Sequence, residues 1–286
     1  MTAVAAADWS RYWRSANEPL EAMHARFTGH VYHRHSHDTY SFGVTEWGAQ
    51  SFTCRHAAHT SAAGMVMAFN PDDPHDGHAT TDRGFGYRMI HIGPGLVTEV
   101  LSDITGRPAG RPLFARPVLQ DPGLARTLYR LHVALTGQAS PLECGERLTT
   151  AVAAAARFAV RCPPGLAETG PGPGGHEIDR TAGLVRDFLD AHYAAPVTGA
   201  ELAAAAGRSR YAAYRAFRAA WGLAPSEYQR LLRLRAARQC LAGGMRPAEA
   251  ATAAGFADQA HLTRWFRRCY GITPAEFRRA ASPAHS

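Results

Sequence analysis

Two copies of one pattern in the last third of the chain constrain the fold more than any other feature. The first copy starts at Glu201 and turns at Gly207, and the same residue types return 48 residues later at Glu249 and Gly255. Five further pairs recur at an offset of 49 residues: Arg215 with Arg264, Phe217 with Phe266, Gly222 with Gly271, Pro225 with Pro274 and Glu227 with Glu276. Each copy reads as a short helix, a glycine turn and a longer helix, so the pattern predicts two helix-turn-helix units.

The positive charge of the chain is concentrated in the same region. The net charge is +7, and residues 178–280 hold 16 arginines against 8 acidic residues, whereas the rest of the chain holds 15 arginines against 16 acidic residues. A basic region joined to a neutral one is typical of a protein that binds a polyanion. Double-stranded DNA is the partner that a basic helix-turn-helix region predicts.

The first half of the chain has the texture of a β domain followed by helices. Short alternating stretches separated by turn residues run over 31–92 and predict a small antiparallel barrel or jelly roll. A helix is expected over 121–137, which starts with an Asp-Pro pair, and a second over 141–161. A row of leucines at helical spacing marks the first helix: Leu124, Leu128, Leu131 and Leu135. On pattern alone, these helices could pack on the barrel or on a second copy of the chain.

A length of 286 residues predicts two domains. Residues 163–177 are rich in proline and glycine, which favour neither helix nor strand, so they are interpreted as a flexible linker. The predicted class is α+β, with a β-barrel and two helices over 1–162 and an all-α double helix-turn-helix domain over 178–286.

Three further observations limit the cellular setting. No apolar run approaches the ~20 residues of a membrane span, and the first ten residues lack the pattern of a secretory signal. The five cysteines are scattered and odd in number, which fits reduced thiols better than a disulfide framework. The expectation is a cytoplasmic protein with no membrane partner.

The outward faces of the second helix in each unit supply the candidate DNA contacts. An α-helix fits the major groove, where arginine suits guanine and glutamine suits adenine. Arg215 and Arg264 are therefore expected to read guanine, Gln259 suits adenine, and the ring of Tyr211 could contact a thymine methyl group. Arg267 and Arg268 lie further along and are expected to hold phosphates. The full set of candidate DNA contacts is Tyr211, Tyr214, Arg215, Arg218, Gln259, His261, Arg264, Arg267 and Arg268.

The region from Glu201 to Arg279 resembles the AraC/XylS family of transcription regulators. The resemblance rests on these motifs: Pro225-Ser-Glu-Tyr228, Arg233-Leu-Arg235-Ala-Ala-Arg238, Ala254-Gly-Phe256, Phe266-Arg and Gly271-Ile-Thr-Pro-Ala-Glu-Phe277. It implies two helix-turn-helix units joined by a linker helix, with base readers at the positions of Tyr211, Arg215, Gln259, His261 and Arg264. One departure lies in the first helix of the second unit, where the family usually carries large aliphatic residues and this chain has Pro247, Ala250 and Ala254.

Histidines are the main chemical feature of the first half. His33, His35 and His37 occupy alternate positions, and alternate residues of a strand share a face. His75 and His78 follow a turn some forty residues further on. Three or four imidazoles that converge could bind zinc, iron or nickel.

This stretch resembles the cupin-type sensor barrel of AraC-like regulators, through His35-Ser-His37, Gly64 and the segment 70–75. Metal-binding cupins usually place a glutamate four or five residues after their paired histidines, where this chain has Tyr40 and Ser41. A metal-free effector pocket with no cofactor is therefore expected, with these candidate residues: His35, Tyr40, Trp47, Phe69 and His75. Two alternatives stay open, a metal site at His35, His37 and His75, and histidines that serve only as buried hydrogen-bonding groups.

Two classes of function follow. The first is a transcription regulator controlled by a small-molecule effector, expected to be an activator and to have RNA polymerase as a possible partner. It is also expected to form a homodimer through the helices at 121–137 and 141–161. The second is a metal-binding cupin sensor or a cupin-type enzyme with an accessory DNA-binding domain. The missing glutamate favours the first class, so no catalytic residue is expected.

Overall fold

A computed structural model of the chain describes residues 8–160 and 173–280. These residues form two compact units that divide in the sequence between 160 and 173. The part of the predicted linker at 163–172 lies outside the described residues. A helix begins at Pro173, five residues before the predicted start of the helical domain. The first turn of this helix is rich in glycine, so the composition of the segment did not predict a helix there.

The first unit is built on antiparallel strands. They are β1 Trp9–Arg14, β2 Leu20–Phe27, β3 Tyr32–His35, β4 Tyr40–Cys54, β5 Ala57–Ala62, β6 Val66–Phe69, β7 His75–Ala79, β8 Phe85–Ile92 and β9 Val118–Leu119. One layer runs in the order β1-β2-β8-β4-β6-β9, and β3, β5 and β7 form a second layer with the far half of β4. The cupin-like barrel that the sequence predicted is confirmed.

The long strand β4 joins the two layers. Its first half pairs with β6 and β8, and from Ala49 onward it pairs with β5 and β7. The register shifts between Thr45 and Trp47, which is where the strand changes layer. Because side chains alternate along a strand, Tyr40 and Phe42 belong to the core under the helices rather than to the core between the layers.

Three helices complete the β domain, the first of them before β9: α1 Pro94–Thr105, α2 Pro122–Thr136 and α3 Pro141–Ala156. The helix α1 was not predicted from the sequence. The leucine row of α2 (Leu124, Leu128, Leu131 and Leu135) is buried in the core of its own unit, with exposed fractions of 0–3%. Of the two alternatives that the pattern allowed for this row, packing within its own domain is therefore the one observed, because the sheet and the helix α3 already cover it.

A polar contact also fixes α2 on the sheet. The Nε2 atom of the buried His132 donates to the carbonyl of Met23 at 3.0 Å, so its Nδ1 atom accepts from Arg88 at 3.2 Å. Burial, with the neighbouring Arg88 guanidinium, lowers the pKa of His132 to about 4. The imidazole is therefore neutral at pH 7 and serves as a structural link.

The second unit is helical throughout: α4 Pro173–His192, α5 Gly199–Ala206, α6 Arg210–Trp221, α7 Pro225–Ala242, α8 Pro247–Ala253, α9 Gln259–Tyr270 and α10 Pro274–Arg279. The pairs α5–α6 and α8–α9 are the two helix-turn-helix units, and α7 is the helix between them. With 18 residues, α7 is about 27 Å long. The predicted helical class of this half is confirmed.

Candidate DNA-binding and effector sites

The sequence repeat corresponds to repeated hydrogen bonds at helix ends. The carboxylate of Glu201 accepts from the backbone N–H of Thr198 at 2.7 Å, and that of Glu249 accepts from the N–H of Arg246 at 3.1 Å. In the second helices, the side chains of Ser209 and Asp258 accept from backbone N–H groups one turn on. These side chains satisfy backbone N–H groups at the start of each helix that have no partner within the helix. The two helix-turn-helix units therefore share equivalent hydrogen bonds at their helix ends.

The residues that the sequence assigned to the cores are buried. In the second helix-turn-helix unit Leu262 and Phe266 are fully buried. In the first helix-turn-helix unit the core residues are all at most 7% exposed: Leu202, Ala206, Ala213 and Phe217. The alanines that depart from the family pattern, Ala250 and Ala254, are also fully buried. Small side chains let α8 approach its neighbours closely, so the departure changes the packing of the second unit and leaves its architecture intact.

On α6, the candidate readers share one exposed face. Tyr211 is 72% exposed, and the Arg215 guanidinium lies 5.5 Å from the centre of its ring. Arg218 lies one turn further along the same face and is exposed. Tyr214 differs, because its hydroxyl lies against Gly199 at the start of α5. Its contact with α5 holds the two helices of the unit together.

On α9, the arginines Arg264, Arg267 and Arg268 are exposed, as is Gln259 at the first position of the helix. His261 is only half-buried, and its Nε2 atom accepts a hydrogen bond from the indole N–H of Trp265 at 3.0 Å. The structure thus gives the predicted readers two surfaces, one on each recognition helix.

The linker helix α7 carries arginines that sequence reasoning did not assign a role. Arg233 donates from Nε to the carbonyl of Tyr193 at 2.7 Å and from Nη2 to that of Ala195 at 2.9 Å, just beyond the end of α4. Further along, the guanidinium of Arg238 lies 5.0 Å from the ring centre of Tyr270. Two of the arginines in the family-like motif at 233–238 therefore hold helices together. Their spacing gives no signal that separates this role from DNA contact.

In the β domain, only some of the histidines lie close together. Ligand nitrogens of His35, His37 and His75 all lie within 4.8 Å of one another, and the ring of His75 stacks on Phe69 at 4.0 Å between centres. His33 is exposed, and its carbonyl contacts the ring of His35. The reason is a register shift between Tyr32 and His35, which breaks the alternation that would place His33 and His35 on one face.

Backbone carbonyls set the tautomers of two of these rings. The Nδ1 atom of His35 donates to the carbonyl of His33 at 2.7 Å, and that of His75 donates to the carbonyl of Asp73 at 2.9 Å. The Nε2 atom of each ring consequently holds the lone pair. Burial lowers the pKa of both imidazoles, strongly in His35, which keeps them neutral at pH 7. Neutral imidazoles with one N–H on a carbonyl are typical metal ligands.

Two predicted pocket residues lie elsewhere. Tyr40 points to the helix side of β4, where its hydroxyl donates to the carbonyl of Pro112 at 2.7 Å. Trp47 lies at the layer change of β4 with the Arg26 guanidinium 4.5 Å from its ring centre. Of the five candidate pocket residues, the structure brings together His35, Phe69 and His75.

Comparison with known proteins gives the same architecture. Residues 19–152 match the AraC-like ligand binding domain, and residues 202–280 match a helix-turn-helix domain. The chain is 29% identical over 243 residues to the uncharacterized HTH-type transcriptional regulator YbfI of Bacillus subtilis (strain 168), covering 85% of this chain and 86% of that protein. It is 28% identical over 183 residues to the transcriptional activator NphR of Rhodococcus sp, covering 62% of this chain and 53% of that protein.

The fold has solved relatives as well. An apo variant of ToxT from Vibrio cholerae strain SCE256 superposes with a TM-score of 0.54 at 12% identity, over 93% of this chain and 98% of that one. The two domain matches and the similarity to YbfI define a transcription regulator in which a ligand-binding β domain precedes a helix-turn-helix DNA-binding domain. The chain belongs to the AraC family of such regulators. Its named relatives are regulators, and none of the described helices is long and apolar enough to cross a membrane.

Proposed function

We propose that this regulator is an activator that reads two adjacent DNA half-sites with α6 and α9 under the control of an effector bound in the barrel. The observation that carries the proposal is the pair of matching exposed faces, each with an arginine at the same place in the repeat, Arg215 and Arg264. The activator NphR, with which the chain shares 28% identity, supports the direction of the output. We propose that the protein acts in the cytoplasm and can contact RNA polymerase.

The proposed roles follow from side-chain chemistry. Arg215 and Arg264 each make a bidentate contact to guanine, and Gln259 reads adenine. Tyr211 lies over a thymine methyl group. The remaining exposed arginines, Arg218, Arg267 and Arg268, hold phosphates. An α7 helix of about 27 Å between the units fits the roughly 34 Å between successive major grooves on one face of DNA.

The test is selection of bound duplexes from a randomised library by the full chain, followed by titrations at 50 and 200 mM salt. Arg215→Ala and Arg264→Ala should each lose about 1–3 kcal/mol of discrimination at one base position. Arg267→Ala, an exposed arginine on the same helix as Arg264, is the matched control, which should weaken all sequences alike and reduce the salt slope by about 1. An unchanged ratio of specific to non-specific binding in Arg215→Ala would contradict its role as a base reader.

A metal ion is a second candidate for the ligand of the barrel, favoured by the convergence of His35, His37 and His75. Imidazole nitrogens fit zinc, nickel or iron, whose bonds to nitrogen are about 2.1 Å long. One ion therefore holds two nitrogens no more than about 4.2 Å apart, so the cluster would contract slightly on binding. The bound ion would supply a charge in the barrel that the apo protein lacks.

Metal binding can be tested by calorimetric titration of the dialysed full chain with Zn²⁺, Ni²⁺ and Fe²⁺. One equivalent should bind, and His75→Ala should abolish binding, whereas the exposed His78→Ala on the same strand should not. Failure of all three ions to bind would leave the metal-free effector pocket as the function of the cluster. Stoichiometric iron together with oxygenase turnover would instead support the cupin enzyme.

We also propose that the regulator is a homodimer. Since the leucine row of α2 is buried in its own unit, a second copy would have to use the outer side of the same helices, where Tyr129, Val133 and Leu142 are exposed. Leu142, at 75% exposed, is the most exposed of these three side chains. Sedimentation of the full chain should give a dimer that Leu142→Glu weakens; a wild-type monomer at tens of micromolar would refute the proposal.

A further inference from the structure

Trp265 is bonded to a candidate base reader on its own helix. Its indole N–H lies 3.0 Å from the Nε2 atom of His261, one turn earlier on α9. An indole N–H can only donate, so the Nε2 atom of His261 must accept. The neutral imidazole then carries its single proton on Nδ1. In this arrangement the ring offers one donor and has no free acceptor.

The tryptophan is in turn held from the linker helix. The guanidinium of Arg230 on α7 lies 3.7 Å from the centre of the Trp265 ring, which is a close cation–π contact. Arg268 approaches the same ring at 5.3 Å. The ring of His261 also contacts the ring of Phe256, which lies nearly perpendicular to it with 5.4 Å between the ring centres. The orientation of His261 therefore depends on a chain of contacts that starts in α7.

We propose that Trp265 and Arg230 are positioning residues that fix His261 as an N–H donor toward DNA and thereby exclude cytosine from the position it reads. This inference rests on the proposed function of α9 as a recognition helix. In the major groove guanine, adenine and thymine each present an acceptor, whereas cytosine presents only its amino donor. A ring that is locked as a donor accordingly accepts the first three bases and rejects the fourth.

The first unit provides an internal comparison. At the repeat offset of 49 residues, His261 corresponds to Ala212 and Trp265 to Ala216. Neither alanine can form such a pair, so the device is confined to the second unit. The arginines Arg215 and Arg264, which both units share, do not depend on it.

The experiment combines library selection with nitrogen-15 spectroscopy of the full chain. His261→Ala should identify one base position at which cytosine is no longer excluded. Trp265→Phe should relax the same position, from exclusion by about tenfold or more to within about twofold, because the ring can then turn its acceptor to DNA. The position read by Arg264 should keep its preference. In the wild-type spectrum the Nε2 atom of His261 should be unprotonated, and Trp265→Phe should produce a mixture of tautomers.

The outcomes distinguish a failure of this inference from a failure of the proposed DNA-reading function. Retention of cytosine exclusion in Trp265→Phe, or a proton on Nε2 in the wild type, would overturn the inference. So would a His261→Ala variant that changes no position while Arg264→Ala changes one, although DNA reading by α9 would then stand. A wild-type chain that selects no sequence would refute the proposed function itself. If Trp265→Phe folds poorly, Arg230→Gln releases the ring from α7 and should give the same relaxation to a smaller degree.

Discussion

The two helix-turn-helix units share the hydrogen bonds at their helix ends and differ in what surrounds them. Both carry a glutamate in the first turn of their short helix and both turn on a glycine with positive φ, Gly207 at 60° and Gly255 at 79°. The short helix of the first unit buries Leu202 in a cluster with Leu189 of α4, whereas the short helix of the second unit buries Ala250 and Ala251. The comparison shows that the repeat preserves local backbone chemistry, while the packing of each unit depends on its own neighbours.

The turn glycines test this comparison with the largest expected effect. A Cβ atom at Gly207 would meet nothing within 4 Å, but one at Gly255 would lie 2.1 Å from the carbonyl oxygen of Ala194. Gly207→Ala should cost about 1–2 kcal/mol of unfolding free energy, the usual cost of a left-handed conformation. Gly255→Ala should cost about 4 kcal/mol or more, since the backbone must also shift.

Urea unfolding of both variants, followed by circular dichroism, measures the difference. Equal losses would show that the two turns are equivalent and that the contact with Ala194 is not part of the folded state in solution.

The attachments of α7 to the rest of its unit give an effect of intermediate size. Arg233 donates two hydrogen bonds in fixed directions to the carbonyls of Tyr193 and Ala195, whereas Arg238 faces aromatic rings. Lysine keeps the charge but cannot reproduce a planar fork. Arg233→Lys should therefore cost about 1–3 kcal/mol, and Arg238→Lys less than about 1 kcal/mol. The thermal melting temperatures of the pair decide the order, and the reverse order would mean that the rings, and not the carbonyls, hold the helix.

The smallest expected effect concerns the stability of the fold at low pH. Hydrogen bonds from the Thr198 hydroxyl and backbone N–H lower the pKa of Glu201, whereas Arg246 has no hydroxyl to offer Glu249. A carboxylate with a depressed folded pKa stabilises the fold above its unfolded pKa near 4.5, and this contribution is lost as pH falls through the folded value. Glu201→Gln should thus narrow the gap between the urea midpoints at pH 7 and pH 3 more than Glu249→Gln does. A wider gap in Glu201→Gln would contradict this account of the cap.

Much of the fold was predictable because the decisive signals are local. A capping glutamate, a turn glycine and apolar residues at helical spacing act within a few residues of each other, so the repeat identified α5, α6, α8 and α9. The helix α1 was missed although Pro94 stands at its start, because Gly93 at its N-cap has no side chain to accept from the first N–H groups of the helix.

The candidate sites were less predictable because they depend on distant neighbours. Alternation placed His33 with His35, and a register shift in β3 separated them. Tyr40 was expected in the pocket, but β4 turns its side chain toward the helices. Two strands far apart in sequence, β3 and β7, bring His35 and His75 together. No spacing along the chain encodes that contact.

The sequence by itself determined the two helix-turn-helix units, their exposed arginine faces and the β domain, because period, caps and charge are written in adjacent residues. Only the tertiary structure decided which polar atoms of these side chains are bonded within the protein. Arg233 is committed to carbonyls near the end of α4, and His261 to Trp265, which Arg230 holds from α7. An arginine or a histidine looks the same in sequence whether its N–H groups face water, DNA or a carbonyl. Its role is fixed by the partner that folding brings within about 3 Å.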